Sequence, residues 1–269
     1  MNALLLALAI AAPCQTGVAG SWRAALSLTG GELRFALDIT DRSGQLGGKI
    51  CNAGSCEKLS GVHQAGDSVR LEMADYAASI AATCTGDSLA GYYRNVGNRG
   101  PRVIPFHAVR GTWDAAQVPA RLAGRWDATF TSGERRSPRV LLFENGPHGF
   151  QGTVISNTGD YGTFRGRLDG DSVAMSHFDG SFVYLLTAHL DGDTLRGTFH
   201  AGLSTQTPFT AVRSTGRPHL RAPTSLTQAD TTAPFRFAFP DVNGRMVRND
   251  DPRFRGKVVL IDIFGTWCP

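Results

Sequence analysis

The feature that most narrows what this 269-residue chain can become is that its middle is written twice. Gly20-Ser21-Trp22 is answered by Gly124-Arg125-Trp126, and Gly66-Asp67-Ser68-Val69 by Gly170-Asp171-Ser172-Val173. Gly86-Asp87-Ser88-Leu89 is answered by Gly192-Asp193-Thr194-Leu195. Pro105-Phe106-His107-Ala108-Val109-Arg110 is answered by Pro208-Phe209-Thr210-Ala211-Val212-Arg213. Four anchors at a spacing near 104 residues mark a duplication. Two copies make a pair of domains, expected at 20–113 and 120–213, and not a solenoid.

Within each copy the hydrophobic pattern has period two. Leu33-Arg34-Phe35-Ala36-Leu37-Asp38-Ile39 and Val69-Arg70-Leu71-Glu72-Met73 alternate, and no stretch keeps a helical period. The second copy divides into eight runs, 126–130, 138–144, 149–156, 162–168, 172–178, 182–190, 194–201 and 207–213, separated by Gly-Asp and Asn-Gly turns. Links this short force antiparallel neighbours. The expected fold is mainly β, with two tandem up-and-down barrel-like repeats whose opening G-x-W is similar to that of lipocalin-like barrels. A barrel of this size holds one small ligand or is filled by side chains, and filling is the expectation. Most runs are shorter than the roughly 9–11 residues an outer-membrane strand needs, so the chain is not expected to span a membrane. The formal charge of +4 is spread out, with no basic run longer than Arg135-Arg136, and no nucleic-acid partner is expected.

The stretch Met1 to Trp22 contains no charged residue, has an apolar core from Leu4 to Ala12, and is followed by Gly17-Val18-Ala19. It reads as a secretory signal peptide over 1–19, cut near Ala19, which sends the chain to the bacterial periplasm or cell envelope. A lipoprotein reading through Cys14 is disfavoured, because Pro13 stands where such sites take a small residue.

Five cysteines are present. Cys14 would leave with the leader. Cys51 and Cys56 flank the turn Asn52-Ala53-Gly54-Ser55, and a cross-strand structural disulfide between them is expected in an exported protein. The second copy has Ile155 and Tyr161 at the matching places, so the fold does not require the pair and a regulatory role stays open. Cys84 matches Leu190 and is expected to pack as a small hydrophobe. No fourth ligand joins these cysteines at a recognisable spacing, so neither metal nor other cofactor is expected. His177, His189 and His200 fall on different predicted strands and receive no role.

From Ser214 to Thr232 the composition turns to Pro, Thr, Arg and Ser, marking a linker over 214–232. Beyond it, Lys257 to Ile263 is apolar except for Lys257 and Asp262, the pattern of a strand buried on both faces of a parallel sheet. Asp262 in such a strand would be desolvated and hold a proton near neutral pH. Cys268 followed by Pro269 falls at the first turn of a predicted helix, where unpaired N–H groups stabilise a thiolate.

Ala233-Pro234-Phe235, Phe239-Pro240-Asp241, Gly244, Arg255-Gly256-Lys257-Val258-Val259-Leu260 and Gly265-Thr266-Trp267-Cys268-Pro269 together resemble the opening of a TlpA/ResA-type thioredoxin-fold domain. The resemblance covers 233–269 and implies an exported thiol–disulfide oxidoreductase with a W-C-P-x-C site, acting on a protein disulfide or dithiol partner. It implies that Cys268 attacks, that Asp262 manages the proton of the resolving thiol, and that Trp267 shields the site beside Pro269. The resolving cysteine lies beyond Pro269, so a fragment without turnover is expected. Two rivals stand beside this reading. A peroxiredoxin-like peroxidase is disfavoured because Gly265 and Ile261 stand three and seven residues before Cys268, where a Thr or Ser and a Pro are usual. The other is a non-enzymatic binding module built on the barrels.

Overall fold

Alternation sets the architecture. In Gly31–Arg42 the side chains of Leu33, Phe35, Leu37 and Ile39 are buried while the residues between them face outward, so the strand has one apolar face to cover. The computed structural model describes residues 14, 17–97, 100–226, 228, 232–233 and 235–262. It divides into one unit ending at Leu220 and a second beginning at Arg221.

Nine strands form the first sheet: β1 (Gly20–Leu28), β2 (Gly31–Arg42), β3 (Gln45–Asn52), β4 (Ser55–Lys58), β5 (Gly61–Ala65), β6 (Ser68–Met73), β7 (Ala78–Thr85), β8 (Ser88–Gly97) and β9 (Gly100–Arg110). Their order is β4-β3-β2-β1-β9-β8-β7-β6-β5, antiparallel throughout. The two ends come together without a ladder, although the Leu59 N–H donates to the Gly48 carbonyl at 2.9 Å.

The second sheet repeats the scheme with β10 (Gly124–Ser132), β11 (Arg135–Gly146), β12 (Gly149–Ser156), β13 (Gly159–Asp160), β14 (Phe164–Asp169), β15 (Ser172–Phe178), β16 (Val183–Asp191), β17 (Thr194–Ala201) and β18 (Thr205–Arg213). Here β11 pairs with β12 from Val140↔Ile155 to Gly146↔Gly149, which closes the sheet into a barrel. The molecule is thus mainly β, one closed barrel and one half-barrel, and the eight runs of the second copy all form strands. Gly91 and Gly197 occupy matching places. A Cβ on either would stand 2.0 or 2.1 Å from a carbonyl of the neighbouring strand, so each barrel wall closes up where only glycine fits.

Each barrel is shut at the mouth where its first strand begins by a strap and a corner. Trp22 and Trp126 are fully buried, and each indole N–H donates to a carbonyl four residues earlier, Val18 at 2.9 Å and Leu122 at 2.8 Å. Arg110 and Arg213, from the last strands, cover those rings. The opposite mouth of the first barrel is filled by the second. Phe178, Val183 and Leu185, on the outer face of β15 and β16, belong to the first barrel's core. Phe178 lies 4.8 Å from Phe35 and edge-on to Tyr93 at 5.1 Å. The turn between the strands is gripped from every side. Asn52 donates to the Phe178 carbonyl and accepts from its N–H, the Tyr93 hydroxyl donates to the Gly180 carbonyl, and Arg102 donates to the Ser181 carbonyl. The first barrel's interior is therefore packed with side chains.

The second unit contains a two-stranded ladder, β19 (Ala238–Pro240) with β20 (Met246–Arg248), whose turn is held by Asp241 accepting from the N–H groups of Asn243 and Arg245. The short 3-10 turns at Pro223–Ser225 and Pro252–Phe254 are its helical elements among the described residues. This corrects the expected start of an α/β domain. Residues 257–262, Asp262 among them, are exposed and outside any strand. A strand buried on both faces needs flanking strands and covering helices, and the described part of this unit supplies neither. Trp267, Cys268 and Pro269 lie outside the described residues, as does most of the 1–19 leader.

Candidate functional site

Where β15 and β16 lie against β2, the outer walls of the two barrels part into a cleft of about 230 Å³. Its floor is Ala174, Ser176 and Leu185, outward-facing yet buried because the other barrel covers them. The Ser176 hydroxyl donates to the Arg34 carbonyl at 2.6 Å and ties floor to wall.

The wall is cationic. Period-two alternation turns Arg23 on β1, Arg34 on β2 and Arg165 and Arg167 on β14 away from their own barrels and into the same cleft, with Glu32 and Asp114 as the carboxylates beside them. Trp113, in the connector between the copies, braces the guanidiniums. Its indole N–H donates to the Phe35 carbonyl at 2.8 Å, and the Arg34 and Arg23 guanidiniums lie 4.7 and 6.0 Å from its ring centre.

The charges are unevenly matched. Arg34 is held by Glu32 at 2.9 Å, and His107 lies 3.3 Å from the same carboxylate. Burial raises the Glu32 pKa, but the hydrogen bond and charge of Arg34, with His107 and Arg167, outweigh it and hold the group below its ordinary value. Arg165 donates to the Asp114 carbonyl at 3.4 Å, while its buried Nε has no partner. Burial lowers the pKa of Arg165, and burial followed by the charge of Arg34 lowers that of Arg167. Guanidiniums crowded beyond their carboxylates in a half-enclosed cleft favour an anion that supplies the missing charge.

The sequence reading missed these residues. The available signals were a tryptophan in the connector, outside both G-x-W anchors, and the Arg165-Gly166-Arg167 spacing that sets two cations on one strand face. The residues it named are not gathered here. Cys51 and Cys56 are disulfide-bonded across the β3–β4 turn with a Cα separation of 4.1 Å. Cys84, expected as a free hydrophobe, is instead bonded to Cys14, the residue expected to leave with the leader. Two disulfides mark an oxidising compartment, so the protein is exported or belongs to the cell envelope. Among the described residues no helix is long and apolar enough to cross a membrane, which says nothing of strands.

No family model and no curated protein matches the chain. Two solved structures resemble it. One is a Bacteroides fragilis protein described as an outer membrane protein, at a TM-score of 0.28 and 10% identity over 73% of this chain and 98% of the other. The other is the Burkholderia oklahomensis agglutinin, at a TM-score of 0.20 and 12% identity over 72% and 94%. TM-scores below 0.5 carry no functional argument. The described chain is β-sheet with a few 3-10 turns, and no α/β thioredoxin-type unit forms among the described residues. The TlpA/ResA resemblance, the oxidoreductase and peroxidase readings and the dithiol partner are therefore withdrawn. The motif matched short local phrases, and the parallel sheet and helices that give such phrases their chemistry do not form among the described residues of 233–262.

Proposed function

We propose that the paired barrels form a binding module of the bacterial periplasm or envelope that takes a small anion, a carboxylate or phosphate group, in the cleft between them. The observation that carries this reading is the convergence of Arg34, Arg165 and Arg167 on one half-enclosed cleft with an Nε of Arg165 buried and unpartnered. Arg is suited to this work because its planar fork grips two oxygens at once and keeps its charge when partly desolvated. Trp113 contributes by fixing the wall before the ligand arrives, which lowers the ordering cost of binding.

The test is thermal denaturation of the exported chain with inorganic phosphate and with glucuronate, and with galactose as the uncharged control. An anion at about a hundred times its dissociation constant adds roughly 2.7 kcal/mol. In a unit of this size that raises the melting temperature by several degrees. Arg167→Ala should abolish the anion shift while leaving the unliganded melting temperature nearly unchanged. A shift with galactose alone, no shift with either anion, or an undiminished shift in the variant would sink the proposal.

A further inference from the structure

The described residues ahead of β1, Cys14 and 17–19, are part of the first barrel. Cys14 is disulfide-bonded to Cys84 on β7, with a Cα separation of 5.4 Å. Val18 is 1% exposed, its N–H donates to Gln64 Oε1 at 3.2 Å, and its carbonyl accepts from the Trp22 indole N–H at 2.9 Å. Arg110 donates to the carbonyls of Gly17 and Ala19 at 2.9 and 2.8 Å. The second copy builds the same strap from residues 118–123. There Val118 and Leu122 are buried, the Leu122 carbonyl accepts from the Trp126 indole N–H, and Arg213 donates to the carbonyls of Arg121 and Ala123.

A cut near Ala19 would remove this strap from one copy only. It would take the acceptor from the buried Trp22 N–H, two carbonyls from Arg110 and the partner sulfur from Cys84. An unpaired buried donor is costly, and the second copy shows that the fold is built to avoid it. A lipid on Cys14 meets a different obstacle, since it needs the sulfur that the disulfide already uses.

We infer that the leader ends earlier, by hydrolysis of the Ala11–Ala12 peptide bond. Ala9-Ile10-Ala11 supplies the small-x-small pattern that a signal peptidase reads, at the end of the apolar run from Leu4 to Ala12. In the step the C–N bond breaks and water gives its hydroxyl to the Ala11 carbonyl carbon and a proton to the Ala12 nitrogen, with no change of oxidation state. The mature chain then opens Ala12-Pro13-Cys14 and carries into the oxidising compartment the cysteine that closes its barrel.

The experiment is to express the full chain in a bacterium, recover it from the periplasmic and membrane fractions, and determine its first residue and its non-reduced intact mass. The expected result is a start at Ala12, with one disulfide-linked peptide holding Cys14 and Cys84. Ala11→Leu should remove the Ala12 start. Cys84→Ser should keep it even where the variant fails to fold, because the processing signal is untouched. A start at Gly20, a diacylglyceryl group on Cys14, retention of the leader, or any first residue other than Ala12 overturns the inference, as does an unchanged start in Ala11→Leu.

Discussion

The guanidinium of Arg110 lies 4.4 Å from the ring centre of Trp22, and in the second copy Arg213 lies 4.6 Å from that of Trp126. Each arginine also pairs with an aspartate at the turn before its neighbouring strand, Asp87 at 2.8 Å and Asp193 at 2.9 Å. First strand, last strand, strap and turn are thus locked by a single side chain in each barrel. Since the ring is buried and the cation is held by several acceptors, the corner combines a cation–π contact of about 0.5–2 kcal/mol with charge-assisted hydrogen bonds.

Lysine cannot reproduce that corner. Its ammonium is a point charge without the planar fork that covers an indole while reaching two carbonyls and a carboxylate. Arg213→Lys is expected to cost about 1–3 kcal/mol, read as a lower urea midpoint with an unchanged slope. Arg110→Lys should cost a similar amount, since the two corners share their geometry. An unaltered midpoint in both would show that the guanidinium contacts add nothing to the fold.

The two barrels should unfold together. Asn52 fully satisfies the buried backbone of Phe178 in the other copy, donating at 2.8 Å and accepting at 2.9 Å. Asp179 shapes the same turn by accepting from the N–H groups of Ser181 and Phe182. Burial raises the Asp179 pKa, but His177 and those two N–H groups outweigh it and keep the carboxyl below its usual range. Asn52→Ala leaves a buried donor and acceptor unpaired, and is expected to cost about 2–4 kcal/mol. Calorimetry should give one transition for the parent and a broadened or split one for the variant; a split transition in the parent would contradict the interlock.

Mild acid should weaken the fold through His200. Burial lowers its pKa, so the unfolded chain takes the proton first. The stability owed to neutral His200 is complete above the ordinary value of about 6.5, and is lost as pH falls through 6.5 toward the lowered folded value. The ring packs against Gly30 at the first barrel's β1–β2 turn, so charging it also disturbs the contact between the copies. Melting temperatures at about pH 7.5 and about pH 5.5 should fall further for the parent than for His200→Gln. Equal losses would show that His200 keeps its ordinary affinity for the proton.

Much of the fold was legible from residues alone because strand formation leaves a local mark. The alternation in Leu33, Phe35, Leu37 and Ile39 and the Gly-Asp turns define strands without reference to anything distant, and the repeated anchors state that the motif occurs twice. The arginine-lined cleft left only faint marks, Trp113 in the connector and the spacing of Arg165 and Arg167. Arg34 and Arg167 lie more than a hundred residues apart, and only the packing of one barrel's outer wall on the other brings their charges together. Cys14 misled for the same reason, since its partner Cys84 is a neighbour only after the strap has folded over the barrel mouth. The phrase from Lys257 to Asp262 misled in the opposite direction, for its apolar run describes a buried strand only where other strands and helices surround it.

The sequence by itself determined two copies of an antiparallel β meander, because period-two hydrophobicity and turn chemistry act over a few residues. Tertiary structure alone decided that one barrel closes on itself while the other is filled by its twin, and that the opening between their walls is lined with arginine. Those outcomes depend on which outward faces meet, a relation set by packing between segments and not by the order of residues within any one of them.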